Sequence, residues 1–146
     1  MRPVEEIRSA DGGLIAMVVR AGERPEGVRF LSAPEDSLQL GVSGYRQGVT
    51  VAPHTHRSHD VTVPTGQEVI HVDQGRVTVD LYDREDRFLT RTLLAAGDTM
   101  LFLAGGHGLT MEEDTRIIEV KQGPYRGRET DKRPISGDKG NPDGVR

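Results

Sequence analysis

The segments GVTVAPHTH (residues 48–56) and EVIHVDQG (residues 68–75), separated by RSHDVTVPTGQ (residues 57–67), decide how this chain is read. In an extended strand successive side chains alternate between faces, so His54 and His56 point the same way with tips ~6–7 Å apart. Imidazole nitrogens bind divalent transition metals at ~2.0–2.1 Å, and a carboxylate plus one more imidazole from neighbouring strands complete a mixed nitrogen and oxygen set. Glu68 and His107 are the candidates. A strand from Gly48 to His56 puts the histidines on the small-residue face with Gly48, Thr50 and Ala52, and turns Val49, Val51 and Pro53 the other way.

Outward from that stretch the chain reads as short strands. LIAMVVR (14–20) is apolar and β-branched between glycines. VRFLS (28–32) and LQLGV (38–42) follow, separated by a polar turn. EVIHVD (68–73) and VTVDLY (77–82) form a hairpin about Gly75, FLTRTLL (88–94) returns after a charged turn, and TMLFL (99–103) and RIIEVK (116–121) complete the set. No amphipathic helix of about ten or more residues emerges. Short strands at regular spacing with glycine turns predict a single all-β domain, a sandwich or barrel, best satisfied by a double-sheet jelly roll that hides its edges.

Composition narrows the function. With 146 residues and 34% hydrophobic residues, one compact domain is expected. Cysteine is absent, which removes disulfides, thiolate ligands and thiol nucleophiles. The N-terminus lacks the apolar core of a signal peptide, and the longest apolar run, Leu14 to Val19, is far too short for a membrane span, so a cytoplasmic protein with no membrane partner is expected. The net charge of −4 is uneven: residues 121–146 hold seven Lys/Arg against four Asp/Glu, and residues 1–120 hold twelve against nineteen. An acidic body with three Tyr, three Phe and no Trp argues against nucleic-acid binding, which needs phosphate-neutralising cations and stacking rings.

In its two glycine-bounded hairpins the chain resembles the cupin superfamily. The first cupin motif is matched by Gly48, His54, His56, Glu68 and Gly75, with eleven residues between His56 and Glu68, a longer spacer than usual. The second is approximated by Gly97, Asp98, Gly105 and His107, with Leu103 where proline is usual. The resemblance covers residues 38–122. It implies a double-stranded β-helix, the cupin jelly-roll barrel, with amino-terminal strands over 1–37, the barrel over 38–122 and a mobile basic tail over 123–146.

The resemblance further implies one divalent transition metal (Fe, Mn, Ni, Co or Zn) in the barrel mouth on His54, His56, Glu68 and His107. Asp60 competes with Glu68 as the carboxylate, although only Glu68 keeps the six-residue interval to Gly75. His71 has parity opposite to Glu68 and is expected to face away from the interior. His59, in the inserted loop over the mouth, is the candidate general acid or base. Tyr45, Thr50, Gln67, Tyr82, Phe102 and Met111 are the candidate pocket lining. The expected function is metal-dependent binding and transformation of a small oxygen-rich substrate, a sugar or organic acid, by dioxygenation or by isomerisation or epimerisation. The alternatives are a non-enzymatic module binding the same molecules, or a metal-free sugar-nucleotide isomerase or epimerase with His54 or His56 as base. A homodimer is expected, with Leu14–Arg20 or Val28–Ser32 added to a partner's sheet.

Overall fold

The computed structural model describes residues 3–135. It is all-β, with strands β1 (Val4–Arg8), β2 (Leu14–Val19), β3 (Gly27–Phe30), β4 (Gly41–Gly44), β5 (Glu68–Gln74), β6 (Arg76–Tyr82), β7 (Phe88–Ala95), β8 (Thr99–Phe102), β9 (Gly106–Met111) and β10 (Arg116–Lys121), then a four-residue helix α1 (Arg128–Asp131). These make three antiparallel sheets, ordered β1-β2-β8-β5-β10, β7-β6-β9 and β3-β4. None of the three closes into a barrel.

The five- and three-stranded sheets pack face to face. Strand β6 alternates, and its Val77, Val79 and Leu81 meet Ala16 and Val18 of β2, Ile70 and Val72 of β5, and Met100 and Phe102 of β8 in one core, with Leu94 of β7. Full burial of each such aliphatic chain contributes about 1.5–3 kcal/mol. The unbroken apolar run of β2 has a different cause: both faces are covered. Ala16 and Val18 face the core, while Met17 packs on the opposite side with Leu101 and Leu103 beneath Leu31, Leu38, Leu40 and Val69.

The structure revises several expectations. The run 14–20 cannot add to a partner's sheet, because β2 is already paired on both sides, to β1 and β8. Its neighbour β1, hidden in what reads as a polar leader, is the edge strand. Nor is there a strand from Gly48 to His56. Every residue from Tyr45 to Gly66 is exposed, and no strand lies between β4 and β5. Val49, Val51, Val61 and Val63 find no sheet face to pack on, each remaining 43–56% exposed.

The segment after β10 is expected to be mobile, and its residues 136–146 lie outside the described residues. Its described part is tied to the body: Arg133 pairs with Asp86 at 2.7 Å, and Ile135 sits so close to Gly106 that a Cβ there would lie 2.4 Å from its Cδ1. Glycine is required by geometry at Gly75, the β5–β6 turn (φ 84°, a Cβ 2.5 Å from Asp114 O), and at Gly105 before β9 (φ 69°, a Cβ 2.1 Å from Tyr82 O).

Candidate functional site

Alternation along β5 turns Glu68, Ile70 and Val72 toward the core, and β8 places Phe102 opposite Glu68. On the facing sheet, His107 pairs across from the buried Leu81, so its ring also points between the sheets. The two elements meet at one end of the core. His107 stacks on Phe102, with ring centroids 3.9 Å apart and planes 19° from parallel, and its Nε2 lies 3.9 Å from Glu68 Oε1. The resemblance to the two motifs singles out Glu68 and His107, and the parity of β5 puts Glu68 on the inward face. Their meeting is a product of the fold.

Electrostatics define the state of this pair. Burial pushes the His107 pKa from 6.5 down to about 4, reinforced by the Lys132 ammonium and opposed by Glu119. His107 is therefore neutral at pH 7, and at 3.9 Å the contact with Glu68 is neither an ion pair nor a hydrogen bond. The Glu68 pKa is raised, chiefly by burial and then by the Glu119 carboxylate, with Lys132 and Lys121 pulling it back. Glu119 and Lys121 stand on β10 opposite Ile70 and Glu68, and Lys132 follows α1. The parity of β10 makes Glu119 readable from sequence. Lys132 is not readable, since nothing in the tail's composition says that it returns to within electrostatic reach of Glu68 and His107.

The remaining candidates lie elsewhere. His54 and His56 sit on the exposed excursion with ring centroids 5.3 Å apart. His54 Nδ1 lies 2.9 Å from Ala52 O, a carbonyl that can only accept, so Nδ1 is the donor in that contact. His59, 3.2 Å through Nδ1 from Arg57 O, and Asp60 are on the same exposed segment, as are Tyr45 and Thr50. Among the described residues no group of three or more His, Cys, Asp or Glu is gathered as a metal site. The fold thus brings together Glu68 and His107 and leaves His54 and His56 apart from them.

Gln67 is buried but serves the fold. Its Oε1 accepts from Leu38 N (2.9 Å) and Ser37 Oγ (3.2 Å), and its own N–H donates to Gln122 Oε1 (2.8 Å). Phe102 belongs to the site through His107, and Tyr82 meets Phe88 edge to face at 5.9 Å. Met111 is about half exposed at the far end of β9. His71 faces away from the core, its Nδ1 2.9 Å from Thr99 Oγ1.

A groove of about 440 Å³ lies on the other sheet, lined by Arg76, Thr78, Arg91, Thr92, Leu93 and Glu112. Its two arginines are engaged, Arg76 by Glu113 and Arg91 by Asp80. No described helix is long and apolar enough to cross a membrane. Comparison with known proteins finds no family model, no curated protein and no solved structure that matches this chain.

Proposed function

We propose that the protein holds a divalent transition metal on Glu68, His107, His54 and His56 in a jelly-roll frame, and acts through it on a small oxygen-rich molecule, a sugar or organic acid. The observation that carries this reading is the Glu68–His107 pair. Two donors each ~2.1 Å from one ion at ordinary ligand angles are roughly 3.0–3.5 Å apart, and the observed 3.9 Å is within side-chain adjustment of that spacing. The protonation states also fit. His107 is neutral, which ligation requires, and the Nδ1 contact of His54 with Ala52 O leaves its Nε2 facing away from that carbonyl. Bound there, the metal would supply Lewis-acid polarisation of a substrate carbonyl, hydroxyl or carboxylate.

The chain's own residues set the rest. Phe102 fixes the plane of the His107 ring and keeps water off one of its faces. Glu68 contributes the negative charge of the site. Lys132, felt by both Glu68 and His107, supplies a positive charge at the mouth for an anionic group of the substrate.

Elemental analysis of protein purified without chelator, alongside His54→Ala, Glu68→Ala and His107→Ala, tests the reading. About one ion per chain is expected in the parent, with a several-fold loss in each variant. Unchanged metal content in all three variants would overturn the ligand set.

A further inference from the structure

The core sandwich is finished on one side only. On that side Arg20 bonds to Glu5 of β1, Asp98 of the β7–β8 turn and the Leu93 carbonyl of β7, joining the β1 and β7 edges. On the other side β10 ends one sheet and β9 ends the other. The short turn 112–115 connects these two strands, so both edges lie together, and among the described residues no further strand pairs with either. Edges of this kind, with unpaired backbone groups, invite another strand. The outer face of β10 also leaves Ile118 and Val120 at 44% and 53% exposure, beyond the cover that Leu31, Leu38 and Leu40 give to Met17 and Leu101.

The same chain carries a segment without a sheet. From Tyr45 to Gly66 every residue is exposed, a connection far longer than the ~2–6 residues that usually join strands. It leaves from fixed points. At one end Gly44 is held against Pro25, where a Cβ would lie 2.0 Å from the carbonyl oxygen; at the other, Gln67 is locked by Leu38 and Gln122. Its Val49 and Val51 alternate as a strand requires, as do Val61 and Val63, and residues 48–56 extended span roughly 30 Å, ample for the six residues of β9. The charges are complementary as well. The arm holds Arg46, in an exposed ion pair with Glu26, and Arg57 against Asp60, while the β9–β10 segment holds Glu112, Glu113, Asp114 and Glu119, of which Glu113 and Glu119 pair with Arg76 and Lys121, against Arg116 and Lys121.

We propose that two copies of the chain exchange arms, residues 45–66 of each adding as strand to the free β9 and β10 edges of the other. The occupant is a second copy because the arm, apart from the exposed Arg46–Glu26 ion pair beside its first anchor, stands off its own body while both of its ends are anchored there. Addition beside β9 with the histidines facing inward puts them one strand spacing, ~4.5–5.5 Å between Cβ atoms, from the inward row that contains His107. Each site is then shared between chains, with His54 and His56 arriving from the other copy. The inference rests on the metal reading only in what those histidines do on arrival.

Light scattering and amide hydrogen exchange on the parent and on T50D/A52D, which places carboxylates on the histidine-bearing face that docks inward, provide the test. The substitutions fall on exposed side chains, so the body should keep its circular dichroism. The parent should be a dimer with β9 and β10 amides protected, and the variant a monomer whose β9 and β10 amides exchange at least tenfold faster. A monomeric parent would overturn the exchange, including one with protected edges, which would mean that the arm folds back on its own body. So would a dimer indifferent to T50D/A52D. A dimer that binds no metal leaves arm exchange standing and removes the proposed function; a monomer that binds metal does the reverse.

Discussion

Replacing Asp98 with alanine should destabilise the protein by roughly 3 kcal/mol, a fall in melting temperature on the order of 10 °C for a chain of this size. Asp98 is 6% exposed and accepts three hydrogen bonds: from Arg20 Nη1 at 2.9 Å, from Ala21 N at 2.8 Å and from Ala95 N at 3.1 Å. The guanidinium it holds bridges β1, β2 and β7, and the two amides fix the chain on either side of the sandwich. Removing the carboxylate strands these donors, which costs more than a hydrogen bond is worth when formed. Arg20 keeps Glu5 at 2.9 Å, so the network weakens without collapsing. Asp80→Ala is the control. Its partner Arg91 is 65% exposed, and that change should cost under about 1 kcal/mol. Thermal unfolding of the two variants measures both; equal small losses would show that Asp98 is not the anchor described.

Lowering the pH should weaken the metal-free protein through His107. Its folded pKa of about 4 lies below the ordinary 6.5 because burial penalises the imidazolium. Between those values the unfolded chain binds a proton that the folded chain does not, so stability rises with pH across that window. The His107 contribution is therefore complete above pH 6.5 and is lost as the pH falls toward 4. A quarter of the side chain is open to solvent, which reduces the contribution to about 2 kcal/mol. Glu68 works against it. Its pKa is raised, so protonation favours the folded state as the pH drops through that raised value. Urea unfolding of parent and His107→Gln at pH 7 and pH 4.5, in chelator, isolates the histidine by difference. The parent should lose more stability than the variant. Equal losses would mean that His107 is as hydrated in the fold as in the unfolded chain.

The strands legible in the sequence are those with a simple local cause. Strands β5 and β6 announce themselves through alternation on both sides of Gly75, though they part into different sheets instead of pairing as the expected hairpin, and β2 announces itself through an apolar run whose two covered faces the structure then supplies. Strand β1 was not legible, because VEEIR carries three charged residues in five and owes its conformation to pairing with β2. The segment 48–56 shows the opposite failure. Val49, Thr50 and Val51 have strand propensity, but propensity without a neighbouring strand leaves the backbone unpaired, and no described strand pairs with this segment. For the site, parity along β5 identified Glu68 as inward-facing. Parity could not show that Gln67 would be spent on Ser37, Leu38 and Gln122, nor that Lys132 would come within electrostatic reach of His107, since both depend on contacts distant in sequence.

One measurement bears on the whole account: the metal content of a mixed dimer. H54A/H56A removes the donors of the arm, and E68A/H107A removes those of the body. Each variant alone should hold no metal at the site. Unfolded together and refolded as an equimolar mixture, half of the dimers should be mixed, each with one intact site, which restores about one quarter of the parent's metal content. No recovery, from a parent that itself holds metal, would contradict a site shared between two chains.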